Sequence, residues 1–212
     1  MEQKYIYVVF SSGHTGMSHF IKFMTQNKYN HVSVSFERNL NTMYSFSRYN
    51  QKAALYGGLV EESILRYYLS GVDEVKICRI PVTEESFEMI RERVKRMIAQ
   101  KEQYIYNTLS AVLMPIKKRY YIRQTYTCVE FVAMLLRLLP NLDVALDNYI
   151  SIRMLEEQLE KYTYYEGELW RIAESSGWGN DDYSKEMKIH SVFYNTVLHF
   201  GKLFLRFIKY GY

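Results

Sequence analysis

Two residues of this chain have the type and setting for nucleophilic chemistry, a cysteine leading into an apolar run and a histidine far upstream. The stretch Thr125-Tyr126-Thr127-Cys128-Val129-Glu130-Phe131-Val132-Ala133-Met134-Leu135-Leu136 passes from a short polar turn directly into a helix-forming segment. A cysteine in the first turn of a helix faces backbone N–H groups without partners and the positive end of the macrodipole. Both favour thiolate over thiol, which is what a nucleophilic cysteine needs. The plain alternative is that Cys128 is a small buried residue, as free cysteines commonly are. Cys78, set between Ile77 and Ile80 in an alternating strand, reads as core.

A thiol nucleophile needs a base, and the chain offers five histidines. His14 lies in a loop beside Gly13 and Gly16, His19 on a predicted short helix, and His190 and His199 near the C-terminal end. His31 differs. It opens a strand in which Val32, Val34 and Phe36 alternate with His31, Ser33 and Ser35, so one face is polar. An imidazole carried on a rigid strand suits general base work, although a histidine there can equally be an exposed strand-edge residue.

Composition bounds what can hold these residues. The 212 residues suffice for one sizeable core, and 48% hydrophobic content with mixed charges describes a globular chain. Two cysteines without metal-type spacing argue against a disulfide framework or a structural zinc site, and no cofactor is expected. A net charge of +4 is too mild to imply nucleic acid, and none is expected as partner. The chain begins without a basic-then-apolar leader and contains no run of about 18 apolar residues, so a reducing cytoplasm is the expected location.

The pattern predicts strands at Tyr5–Phe10, Tyr29–Phe36, Met43–Arg48, near Gly57–Glu62 and at Asp73–Ile80, with a short helix at Ser18–Thr25 between the first two. Thr83 caps a helix reaching about Gln100, with acidic residues early and basic residues late. Helices follow at Thr127–Leu139 and Ser151–Lys161, then a strand or irregular connection at Tyr164–Trp170 and a turn-rich surface stretch at Ser175–Asp182. Strands in succession followed mostly by helices predict α+β with an antiparallel sheet packed against helices.

The ordered set Tyr29-Asn30-His31-Val32-Ser33, Met43-Tyr44-Ser45-Phe46, Gly57-Gly58-Leu59-Val60-Glu61, Tyr106-Asn107 and Thr127-Cys128-Val129-Glu130-Phe131-Val132 resembles the circularly permuted papain-like proteins related to NlpC-type peptidases. The nearest likeness is to their YiiX/YebB-like branch, with lecithin:retinol acyltransferase as a more distant permuted relative. The histidine precedes the cysteine here, which is the order that defines the permutation. The resemblance covers about residues 3–140 of one domain spanning 1–212 and leaves 141–212 as a C-terminal helical extension. It implies a Cys128 nucleophile, a His31 base and a third polar group on a neighbouring strand that orients the imidazole. That group is commonly a glutamate in the branch; the matching position here is Ser45, with Glu37, Glu61 and Glu62 nearby. The oxyanion hole would combine the Cys128 N–H with a donor from Ser11-Ser12-Gly13 or from Tyr7.

Three functions follow from these residues. A cysteine hydrolase would act on a small amide, peptide or acyl substrate through a thioester. A lipid-acting acyltransferase or phospholipase would use the same dyad. A papain-like binding module would have lost catalysis. The basic, aromatic stretch Lys117–Arg123 could hold an anion, though a solvated loop is its simpler reading. The segment His199–Tyr212 mixes aromatic, leucine and basic residues as an interfacial helix would, which predicts membrane-surface contact; packing on the domain or on a second copy fits the pattern as well.

Overall fold

The computed structural model of the protein describes residues 3–13, 28–53, 55–113, 118, 120–140, 142 and 149–210, without the side chains of 175 and 176. The predicted helix at Ser18–Thr25, with His14 and His19, lies outside the described residues, as do Lys117 and Arg119. In chain order the elements are β1 (Lys4–Ser11), β2 (His31–Ser35), β3 (Met43–Arg48), β4 (Gly57–Glu62), α1 (Ile64–Leu69), β5 (Glu74–Val82) and α2 (Glu84–Ala99). There follow β6 (Ile105–Tyr106), α3 (Thr108–Leu113), β7 (Thr125–Tyr126), α4 (Cys128–Leu136), α5 (Ile152–Leu159), β8 (Thr163–Glu168), α6 (Leu169–Ser176) and α7 (Ile189–Tyr210).

The fold is α+β. Among the described residues eight strands form one sheet in the order β7-β6-β4-β3-β2-β1-β5-β8. All pairings are antiparallel except β6 with β7, so the sheet is mixed rather than wholly antiparallel. The stretch Thr163–Glu168 is a strand: β8 pairs along β5, with a register shift between Ile77 and Cys78. The C-terminal third is therefore more than a helical extension, because it completes one sheet edge and contributes Ile152, Leu155 and Leu159 of α5 to the main core.

Alternation along the strands divides the apolar residues between two layers. Ile6, Val8 and Phe10 of β1 with Val32 and Val34 of β2 face the larger core, closed by Phe87, Ile90 and Val94 of α2 and by Phe131, Val132 and Leu135 of α4. Tyr7 and Val9 face the smaller one, closed by Ile64 and Tyr67 of α1 and by Leu169 and Ala173 of α6. The polar side of β2 was expected to be the solvent side, yet Ser33 and Ser35 are fully buried. Their hydroxyls are paired, Ser33 Oγ with Tyr67 Oη at 2.6 Å and Ser35 Oγ donating to the Thr42 carbonyl at 2.7 Å. Paired hydroxyls lose little on burial, so a helix can cover this face.

One glycine is required by close approach. A Cβ at Gly58 would lie 2.6 Å from the Tyr104 carbonyl oxygen, backbone that cannot rotate away. Its absence lets β4 pair with β6, and β6 carries β7 and the start of α4.

Candidate active site

The cysteine is placed by a helix start that the local sequence specifies. Thr127 is the N-cap of α4: its Oγ1 accepts from Glu130 N at 3.4 Å, while Glu130 Oε2 accepts from Thr127 N at 2.7 Å. This reciprocal capping box satisfies two end groups and leaves the Cys128 N–H, in the first position, without an intrahelical acceptor. Glu130 is thus part of the cap. Asn107 holds the strand leading into the helix, its N–H donating to Tyr126 O at 3.0 Å and its Nδ2 to Tyr120 O at 3.0 Å. Replacing Thr127 by alanine is expected to cost about 1 kcal/mol of stability in chemical denaturation, the usual loss for a threonine cap.

His31 begins β2, opposite Ser11 of β1. Its Nε2 lies 3.0 Å from Glu62 Oε2, the last residue of β4, and its ring stands 6.1 Å from that of Tyr67 in an edge arrangement. An ionised carboxylate only accepts hydrogen bonds, so Nε2 carries the hydrogen and Nδ1 is the ring nitrogen left for a second partner. Cys128 lines the same cleft and favours the protonated ring. Burial by itself would push the His31 pKa down. Glu62 and Cys128 together outweigh burial and raise it to about 10.

Glu62 is held on several sides. Tyr67 Oη donates to Glu62 Oε2 at 3.4 Å, and Arg66 Nη1 stands 3.8 Å from Oε1. Burial favours the neutral acid, yet the charge and hydrogen bond of His31, the Arg66 guanidinium and Ser45 hold the carboxyl down at about 2. Tyr67 is pushed well above the ordinary phenol range by burial and by Glu62, so it stays a neutral donor. Behind Glu62, Arg66 is chelated by Asp181, with Nε to Oδ2 and Nη2 to Oδ1 both 2.8 Å. Asp181 also accepts from Ser63 N at 3.2 Å and Tyr183 N at 2.8 Å. His31, Glu62, Arg66 and Asp181 therefore form one continuous chain of contacts, with Cys128 in the same cleft as the imidazole.

The structure brings two of the three residues singled out in the sequence together and corrects the third. Cys128 and His31 line the same cleft. The ring's hydrogen-bond partner is Glu62 and not Ser45; the Ser45 hydroxyl is fully buried beside Glu62, makes no hydrogen bond of ordinary geometry, and reaches the imidazole only through that carboxylate. Glu62 was one of three nearby carboxylates that strand alternation could not rank, because one residue of slip exchanges the faces. Arg66 at i+4 from Glu62 was a legible signal, as was the Thr127-x-x-Glu130 pattern. Asp181 had no local signal: it lies in a stretch read as surface.

The cleft has a volume of about 170 Å³ and opens to solvent. Ser11 and Gly13 line it, but the Gly13 N–H is already bonded to Asn30 Oδ1 at 3.2 Å. Tyr7 packs instead against Tyr164, with ring centroids 6.5 Å apart, and is not part of the cleft. Tyr106 does line it, and burial together with the neighbouring Cys128 and Glu130 keeps its phenol neutral. Cys78 is fully buried in the core, and burial pushes its thiol up to about 11. Among the described residues no cluster of three or more His, Cys, Asp or Glu is arranged for a metal ion, and no helix is long and apolar enough to cross a membrane. No family model, curated protein or solved structure matches the chain.

Proposed function

We propose that the protein is a cysteine hydrolase of the circularly permuted papain-like type, acting on amide or related acyl bonds. The observation that carries this reading is the His31 ring bonded to the Glu62 carboxylate at 3.0 Å, in the same cleft as Cys128 at a capped helix start. The Cys128 sulfur attacks the substrate carbonyl carbon as a thiolate, its proton already carried by the His31 ring. The oxyanion so formed sits at the Cys128 backbone N–H, the donor that helix geometry leaves free. Collapse of this adduct breaks the bond to the leaving group, which departs with the proton from His31 and leaves a thioester. Water, losing a proton to His31, then releases the acid and restores the thiolate–imidazolium pair.

A carboxylate on the ring favours catalysis over a binding module, because it stabilises the imidazolium that the mechanism needs and fixes the tautomer. Both cysteines are free, which suits a reducing compartment.

Alkylation by iodoacetamide tests the dyad, with Cys78 as internal control. Cys128 is expected to label at least tenfold faster than Cys78 at neutral pH, and His31→Ala is expected to remove most of that advantage. Equal labelling of Cys128 in both proteins would overturn the reading. Peptide amides and phospholipids offered to wild type and Cys128→Ala then identify the substrate class, since only turnover lost in the variant counts.

A further inference from the structure

The 22-residue helix α7 is apolar on two sides and is seated by only one. Its inward side carries His199 and Leu203, both buried, with Phe207 beside them. Leu203 packs on Ile105 and Ile122, His199 Nε2 lies 3.5 Å from Thr108 Oγ1, and Phe207 meets Tyr120 with ring centroids 5.5 Å apart. The outward side is in water: Phe193 is 71%, Phe204 62%, Leu205 68% and Ile208 66% exposed. With Val197, Leu198 and Phe200 they cover an arc of about 160° at roughly 100° per residue, wider than the stripe a surface helix needs for its own domain. An uninterrupted apolar face of that size on a surface marks something that covers it.

We propose that the outward face of α7 is a docking surface for an anionic lipid bilayer. Its charges decide the occupant. Between Ile189 and Tyr210 there is no aspartate or glutamate, while Lys202, Arg206 and Lys209 are all cationic. At the same angular spacing Lys202 and Lys209 fall along one border of the apolar arc, both exposed, and Arg123 stands over the Tyr210 ring at 5.6 Å. Aromatic and leucine side chains flanked by lysine are the pattern of a helix lying in a membrane interface, where the apolar arc enters the acyl boundary and the cations meet lipid phosphates. A second copy fits poorly, since two such helices would align cations without a carboxylate on either, and like charges across an interface cost affinity. Docking would also bring the cleft to the membrane surface. Helix α3 packs on α7 through Leu109, and its Val112, 66% exposed, lines the cleft.

Co-sedimentation of the full chain with vesicles tests the surface. The protein is expected to pellet with phosphatidylcholine vesicles containing phosphatidylglycerol, more weakly with phosphatidylcholine alone, and more weakly in high salt. Phe204→Asp with Ile208→Asp should weaken binding at least tenfold without lowering the melting temperature. Lys202→Gln with Lys209→Gln should remove the preference for anionic lipid while leaving the fold intact. Cys128→Ala should bind as wild type does, so failure of the hydrolase reading and failure of this one are separable. Absence of the folded wild type from the anionic pellet would overturn the proposal. So would a dimer in analytical ultracentrifugation that the aspartate pair dissolves.

Discussion

Glu62→Gln is expected to slow alkylation of Cys128, and any acyl hydrolysis, by on the order of 10²- to 10⁴-fold while leaving the backbone in place. Glutamine has the shape of glutamate but can present an N–H₂ to His31 Nε2. The ring would then carry its hydrogen on Nδ1, where it faces Cys128 and cannot accept the thiol proton. The same substitution removes the charge that offsets burial of the imidazole. His31, raised to about 10 in the wild type, should then titrate at a lower pH, because burial pushes it down and Cys128 alone is left to oppose it.

Stability should follow the same groups. The folded pKa of His31 is above its ordinary value of 6.5, so its contribution is whole below that pH and lost as pH rises toward about 10. Glu62 is depressed from 4.5 to about 2, so its contribution is whole above 4.5 and lost as pH falls toward 2. Wild type is therefore expected to be more stable at about pH 6 than at about pH 9, and Glu62→Gln to lose that difference. Chemical denaturation at the two pH values measures this, and the His31 ring proton in NMR reports the titration directly. An unchanged alkaline slope in the variant would remove Glu62 from the role assigned to it.

Asp181→Ala is expected to cost about 3–5 kcal/mol, the usual penalty for leaving one member of a buried ion pair alone. Both side chains are withdrawn from water, Arg66 at 7% and Asp181 at 1% exposure, and they meet through two 2.8 Å contacts. In a chain of this size each kcal/mol lowers the melting temperature by about 2–4 °C, so a fall of roughly 6–20 °C is expected in a thermal melt. Asp181→Asn should cost less, because its carbonyl oxygen still accepts from the guanidinium and from one of the two backbone N–H groups. An unchanged melting temperature for the alanine variant would mean that Arg66 is solvated after all.

Much of the architecture was legible because local rules and tertiary packing agree. The strands β1, β3, β4 and β5 and the helix capped by Thr83 stand where alternation, β-branching and capping put them. The face of β2 was misread as solvent-facing, because a row of serines looks the same to a pattern rule whether water or a tyrosine satisfies it. The hydroxyl of Tyr67, on a helix far along the chain from Ser33, and the Thr42 carbonyl that takes the Ser35 hydroxyl are what made burial cheap. Glu62 was visible as a candidate but could not be distinguished from Glu61, since adjacent residues on a strand point to opposite faces.

The nomination of Cys128 and His31 as a pair came from a resemblance in the order of segments, whereas the sequence by itself determined the α+β class and the helix start that exposes the Cys128 N–H. These depend on neighbours within a few residues, where propensity and capping act. Only the tertiary structure decided that Glu62 holds the imidazole, that Arg66 and Asp181 hold Glu62, and that α7 leaves one apolar face in water. Each of these depends on which side chains meet across strands and loops far apart in the chain. In a low-dielectric interior those meetings set which groups are charged, and no spacing rule encodes them.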